Sequence, residues 1–369
     1  MRLNTDLISR VLERALDIQR IPAPTFHEAQ RAAFVRQCWE EEGVAVEQAP
    51  VGNVYAHLPG RGDAPPVIVT AHLDTVFPAG TDLTVRREGP RWYGPGLGDN
   101  SLGVAALFGV YWALRSLFPL PGDLWLVADV AEEGLGNLRG IRAVVERFGG
   151  AVSAYLVLEG LGLGHVYHRA LGVRRYRVTL RTPGGHSWAD AGQPSAIHEL
   201  AALITEITRL PLPARPRTTL NVGRIGGGVS INTIAPEAWM EIDLRSEEAR
   251  ALGRVASAVE RLAQKRHRAH VEVYLEVIGE RPAGALPPEH PLVQTAEAAL
   301  RAQGVTPTRL IGSTDANIPL SRGYPAVGLG LARGGGAHSD REYIEPDSLP
   351  RGLAAVVALV RRAYSLARR

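Results

Sequence analysis

The run Val67-Ile-Val-Thr-Ala-His72-Leu-Asp74-Thr-Val constrains this chain more than any other segment. Its continuous β-branched and apolar character reads as a strand buried on both faces, the habit of a parallel sheet covered by helices. In open α/β sheets ligands bind just past the carboxyl ends of the strands. The run delivers an imidazole and a carboxylate to that place, and such a carboxylate can aim the ring at a metal. Taken singly, His72 reads as an ordinary hydrogen-bonded histidine. Its meaning depends on what else reaches the same sheet edge.

At 369 residues the chain exceeds the size at which one core stops growing, so two domains are expected. The 45% hydrophobic and 21% charged content fits a soluble globular protein. With 41 basic and 38 acidic residues the net charge is only +3, which gives no case for nucleic-acid binding. The basic clusters, Lys265-Arg-His-Arg and Arg368-Arg369, read as solvated surface. Cys38 is the only cysteine, which excludes an internal disulfide and a thiolate-rich zinc site. It sits beside Trp39 in an amphipathic pattern and reads as packed core. The first residues lack the apolar stretch of a signal peptide, and no apolar run reaches membrane-spanning length. A cytoplasmic enzyme without membrane partners is the expectation.

Helical spacing over residues 6–19 stops at Ile21-Pro-Ala-Pro24, and Thr25-Phe-His-Glu28 reads as a capping box opening a helix to about Glu42. Strands are predicted near 44–49, 53–58, 66–71, 124–130 and 154–158, with helices over 101–117 and 140–148. This alternation predicts a doubly wound α/β/α domain. From about 172 the character changes. Strands near 173–180, 217–225, 236–244 and 269–277, with helices over 195–209 and 247–265, give the β-α-β-β-α-β order of an α+β ferredoxin-like unit. The α/β pattern then returns, with a helix from 291, a strand near 325–331 and a helix over 348–367. The expected organisation is one domain from 1–170 and 281–369, interrupted by a second at 171–280.

Four further places in the α/β part supply ligand-type residues. Gly94-Pro-Gly-Leu-Gly-Asp99-Asn100 precedes the long helix, and its glycines allow tight turns that bring Asp99 inward. The alternative makes Asp99 a helix N-cap. An acid there also argues against a phosphate site among these glycines. Glu132-Glu133 follows the apolar strand ending at Val130, where adjacent buried carboxylates need a cation or a proton. Glu159 follows Tyr155-Leu-Val-Leu158, and His338 lies in Gly334-Gly-Gly-Ala-His338-Ser-Asp340. Each also reads as an ordinary loop residue. Together they form a nitrogen and oxygen ligand set suited to zinc, cobalt or manganese. It is large enough for two ions, with a shared carboxylate such as Asp99 bridging them at roughly 3.5–4 Å.

His72-Leu-Asp74, Gly98-Asp99-Asn100, Glu132-Glu133, Glu159 and Ala337-His338-Ser339 resemble the five motifs of the co-catalytic zinc exopeptidases. That family includes glutamate carboxypeptidase, peptidase T, acetylornithine deacetylase and succinyl-diaminopimelate desuccinylase. The resemblance spans essentially the whole chain. It implies two zinc ions per subunit, Asp99 bridging them, His72 and Glu159 completing one site, and Glu133 with His338 the other. It further implies that Asp74 orients His72, that Glu132 is general base and acid, and that the Asp99–Asn100 peptide is cis. Within the inserted segment, Gly184-Gly-His186-Ser187 resembles the stretch whose histidine reaches the partner subunit's active site and stabilises the oxyanion. Residues 171–280 would then serve as a dimerisation and lid domain. Gly226 to Pro236, with Asn232, and Asp243-Leu-Arg245 resemble substrate-contacting segments, Arg245 binding a carboxylate. Gly312-Ser-Thr314-Asp315-Ala-Asn317 resembles a loop lining the substrate pocket. A surface turn for His186, a surface salt bridge for Arg245 and a polar turn for Thr314 are the plainer readings.

Other classes fit less well. No Gly-x-Ser-x-Gly elbow supports a serine hydrolase, and the single lysine, Lys265, is preceded by Gln264 and excludes a Walker loop. A non-catalytic metal-binding relative is disfavoured because every inferred ligand and the base are present. The expected function is metal-dependent hydrolysis of an amide bond in small peptides, as a di- or tripeptide exopeptidase or a carboxypeptidase-like enzyme. N-acyl amino acid deacylation is the alternative.

Overall fold

The strand Val67–His72 is buried at every position because it lies in the middle of a sheet. The computed structural model describes residues 3–366, so Arg368-Arg369 lie outside the described residues. The chain divides into two units, one made by the chain through Ala170 and from Ala285 onward, the other by Leu171–Gly284. The join expected after residue 280 lies later because the last strand of the inserted sheet runs through Arg281.

In the larger unit the strands follow the order Ala45–Gln48, Val54–Leu58, Leu124–Asp129, Val67–His72, Ala154–Leu161, Ala326–Gly335. The last four are mutually parallel and the first two join antiparallel. This mixed sheet therefore keeps its parallel character in the centre, where near-continuous apolar runs face packed neighbours on both sides. The helix Leu102–Leu114 is apolar almost all round and nearly every residue is buried, as a helix enclosed by other elements requires. Cys38 is buried in the same core, and burial pushes its thiol up to about 11.

The capping box expected at Thr25–Glu28 does not form. The helix begins at Ala29, after Phe26 at φ +75, and Glu28 makes no side-chain cap. Thr25 and Glu28 are committed elsewhere: Thr25 Oγ1 donates to Asp74 Oδ2 at 2.9 Å, and Glu28 Oε1 accepts from Ala131 N at 3.1 Å. Residues that read locally as a helix start are diverted to hold loops at the strand ends.

The inserted unit is a four-stranded antiparallel sheet in the order Thr218–Gly227, Glu237–Ser246, Gly172–Arg181, Glu272–Arg281, with helices Ala196–Thr208 and Ala249–Lys265. Tyr176, Val178 and Leu180 enter its core beside Met240, Ile242, Leu203 and Val259. The alternate residues face outward and pair across strands, Arg175 with Asp243 at 2.9 Å and Arg177 with Glu241 at 2.9 Å. The Lys265–Arg268 cluster is not simply solvated: Arg266 pairs with Glu206 and Arg268 with Glu199, each at 2.7 Å. Among the described residues no helix is long and apolar enough to cross a membrane.

The closing helix Leu349–Leu366 packs on Ala326–Gly335 through Gly352, where an added Cβ would meet Leu331 O at 1.9 Å. Gly352→Ala gains at most about 1 kcal/mol of helix propensity against about 1–3 kcal/mol of overpacking. The expected outcome is net destabilisation, read as a lower urea midpoint with an unchanged slope; a higher midpoint would contradict this close approach.

Candidate metal centre

Four parallel strands and one distorted turn deliver the ligand-type side chains. His72 is the last residue of its strand and is buried. Glu132 and Glu133 follow Leu124–Asp129 after Ala131 at φ +58, and both are buried. Glu159 lies inside the strand Ala154–Leu161, which continues beyond the end expected at Leu158. His338 follows Ala326–Gly335 and is itself at φ +64, in a turn entered through Gly336 at φ +70. Asp99 belongs to the short helical turn Leu97–Ser101, where Asp99 (φ −118, ψ 87) and Asn100 (φ −137, ψ 36) leave helical geometry. The Asp99–Asn100 peptide is cis. Ser101 precedes the long helix, so Asp99 is not its N-cap.

The carboxylate of Asp99 organises the group. Its Oδ1 lies 3.2 Å from His72 Nε2 and its Oδ2 lies 3.2 Å from His338 Nε2. Glu159 Oε2 is 3.9 Å from His72 Nε2, and Glu133 Oε1 is 3.0 Å from His338 Nε2. Two three-residue sets result, His72–Asp99–Glu159 and Asp99–Glu133–His338, each with its ligand atoms within 4.8 Å of one another. Glu132 enters a further grouping with His72 and Glu133, so its carboxylate borders the same centre without belonging to either Asp99 set.

The electrostatics ask for positive charge. Burial pushes Glu159 well above the ordinary carboxylate range, and Asp99, Glu132 and Glu133 add to this against the pull of His72. Burial also opposes charge on Asp99, but its bonds to His338 and His72 outweigh that and hold it low. Bonds to Asp99 and Glu133 raise His338 to about 10. Burial disfavours charge on His72, yet Asp74 and Asp99 raise it well above its usual value. Two histidines and the carboxylates Asp99, Glu132, Glu133 and Glu159 form a thiolate-free donor set. Two divalent cations would offset its four negative charges, and the residues present therefore fit a pair of metal ions.

Asp74 lies against both His72 and the Glu132–Glu133 loop. His72 Nδ1 is 3.5 Å from Asp74 Oδ1 but 3.0 Å from the Asp74 backbone oxygen. The shorter side-chain bonds go to the Glu132 and Glu133 backbones, whose N–H groups donate to Oδ1 and Oδ2 at 3.0 and 2.9 Å. Asp74 thereby fixes the loop that carries both glutamates. Buried Arg31 donates to Leu73 O at 2.8 Å and holds the adjoining residue. Asn100 ties Asp99 to the Glu159 strand, its Nδ2 donating to Leu158 O at 2.8 Å and its Oδ1 accepting from Gly160 N at 2.9 Å.

Thr314 caps a tight turn, its hydroxyl accepting from Ala316 N at 3.2 Å. In the inserted unit the short strands Gly185–His186 and Thr233–Ile234 pair, and Ser187 N donates to Asn232 O at 3.0 Å, which brings His186 beside Asn232. His186 Nδ1 accepts from Trp188 N and Ala189 N at 3.2 and 3.3 Å, so in the neutral ring the proton sits on Nε2. Arg245 Nε donates to Asp243 Oδ2 at 2.7 Å.

Two buried acids, Asp129 and Glu342, carry no ligand signal in the sequence, and Asp315 reads there only as part of the loop at 312–317. Asp129 and Asp315 are wholly or almost wholly buried, and none of their carboxyl oxygens has a hydrogen-bond donor among the described residues. Burial raises both, Asp129 to about 7, and the two side chains face each other. Such a pair bonds only when one carboxyl carries a proton. Glu342 is also buried and accepts bonds from the Asp99 loop. The only local signal for Asp129 was an acid closing an apolar strand, and Glu342 had none.

Residues 68–362 match the profile of Peptidase family M20/M25/M40. The chain is 24% identical to the uncharacterised protein YqjE of Bacillus subtilis (strain 168) over 377 residues, covering 96% of this chain and 98% of that one. Its fold resembles the crystal structure of a tripeptidase from Staphylococcus aureus, with TM-score 0.80, 21% identity, and 98% and 99% of the two chains covered. It also resembles the YXEP protein of Bacillus subtilis, described as a dinuclear metal-binding peptidase of the M20 family, with TM-score 0.70, 18% identity, and 98% and 99% covered. The chain belongs to Peptidase family M20/M25/M40 and is a metal-binding hydrolase of peptide or related C–N bonds.

Proposed function

We propose that this protein is a di-zinc exopeptidase acting on di- or tripeptides, or on the C-terminal residue of small peptides. The observation that carries the proposal is the Asp99 carboxylate, whose two oxygens face two different histidines. His72, Asp99 and Glu159 would hold one ion, and Asp99, Glu133 and His338 the other, with cobalt or manganese as possible substitutes. When bound, the ion pair supplies Lewis acidity and makes water a competent nucleophile near neutral pH. Glu132 takes the proton of the attacking water on its carboxylate and returns it to the leaving nitrogen, so that amide and water become carboxylate and amine. Asp74 keeps Glu132 in place through the bond to its backbone N–H.

Support for peptides over N-acyl amino acids comes from the tripeptidase likeness and from the Ser313-Thr314-Asp315 turn, with Thr314, Asn232 and Arg245 proposed as substrate contacts. We further propose a homodimer formed through residues 171–280. Trp188, Val229 and Ile231 are large apolar side chains left exposed in that segment, and such exposure marks contact surfaces. His186, with its proton on Nε2, would donate to the oxyanion in the site of the second copy.

The direct test is an assay with added zinc, cobalt or manganese across dipeptides, tripeptides and N-acyl amino acids, scored by released amine. Peptide turnover well above N-acyl turnover is expected; the reverse order selects deacylation. Glu132→Ala is expected to keep its metal while losing roughly 10²–10⁴-fold in kcat, and near-wild-type turnover would remove Glu132 from the base role. Metal binding should release protons. His338 at about 10 in the metal-free protein is protonated at neutral pH, so zinc must displace that proton and affinity should keep rising with pH from 7 to 9. Calorimetry in buffers of different ionisation enthalpy reads this, and a plateau above pH 7 would indicate a histidine near its ordinary value. Sedimentation should show a dimer; a fully active monomer would sink the role of His186 in a second copy.

A further inference from the structure

Glu342 is wholly buried, yet among the described residues it lies in no ligand set. Its Oε1 accepts from Gly98 N at 2.7 Å and from Asp99 N at 2.9 Å, and its Oε2 accepts from Gly96 N at 3.1 Å. Its backbone oxygen accepts from Gly94 N at 3.0 Å. One residue thus takes four backbone N–H groups of the segment that presents Asp99. Gly98 is tightly enclosed, since an added Cβ would meet Leu161 Cδ2 at 2.5 Å, so this part of the loop offers Glu342 its backbone N–H rather than a side chain. The same residue ends the turn that carries His338. Ser339 N donates to Gly336 O at 3.1 Å and Glu342 N to Ser339 O at 3.1 Å, closing that turn on itself.

We infer that Glu342 is a positioning residue of the metal centre, fixing the Asp99 loop relative to the His338 turn and so setting the affinity of the Asp99–Glu133–His338 site. The inference rests on the two-ion reading given above. A carboxylate suits the task because it only accepts, and its oxygens together have room for three donors. An amide at this position would turn an N–H toward one of those backbone N–H groups. Aspartate would keep the charge but fall one methylene short. The His72–Asp99–Glu159 site depends less on Glu342, because Asn100 independently ties Asp99 to the Glu159 strand.

The test is titration of the metal-free wild type, E342Q and E342D with Co²⁺, followed by visible absorption and bound-metal stoichiometry, with circular dichroism and Tm establishing that each variant is folded. Two Co²⁺ per wild-type chain are expected. In E342Q one of the two Co²⁺ should lose about 10–100-fold in affinity with an altered spectrum, the other staying close to wild type, and E342D should show the same pattern at a smaller size. If both variants bind two Co²⁺ with wild-type affinities and spectra, even at lowered Tm, Glu342 supports only the fold and the inference is overturned. If the wild type itself binds fewer than two, the two-ion reading has failed, a result visible without either variant.

Discussion

Everything in the larger unit turns on the cost of gathering carboxylates in a buried place. Asp99, Glu132, Glu133 and Glu159 converge with buried His72 and exposed His338, and like charges so close repel strongly unless compensated. In a folded protein that requires either protons or cations. Asp99 resolves the geometry by giving one oxygen to each histidine, which makes a shared carboxylate rather than two separate sites.

Holding such a group requires a rigid frame, and the frame is mostly backbone. Asp74 grips the Glu132–Glu133 loop by its N–H groups, Glu28 grips Ala131, Asn100 ties the Asp99 turn to the Glu159 strand, and Glu342 collects the loop before Asp99. Each of these polar side chains is buried, and each spends its bonding capacity on a loop that carries a proposed ligand or the proposed base. The ligands themselves need not be rigid if the peptide planes beneath them are.

Much of this was legible in the residues. The run ending at His72 announced a buried parallel strand, and the apolar helix beginning near Leu102 announced an enclosed one, because both patterns are long and uninterrupted. The ligand types stood out through their place after such strands. What stayed hidden shares one physical cause: it depends on partners distant in sequence. Thr25 and Glu28 spell a capping box locally, and only the proximity of Asp74 and Ala131 diverts them. Glu342 looked like one acid among many, since its partners lie some 240 residues earlier. The short strands Arg86–Glu88, Arg91–Tyr93 and Tyr343–Glu345 carry little periodicity and exist by pairing with one another. The strand expected to end at Leu158 runs on through Gly160, a residue that reads as a breaker, so Glu159 lies within it.

The central claim, that one carboxylate organises a two-ion centre, is met most directly by anomalous diffraction at the zinc absorption edge from crystals of the metal-loaded protein. The account predicts two peaks on either side of the Asp99 carboxylate, one also touching His72 and Glu159, the other Glu133 and His338. A single peak, or two peaks that do not share Asp99, would contradict it.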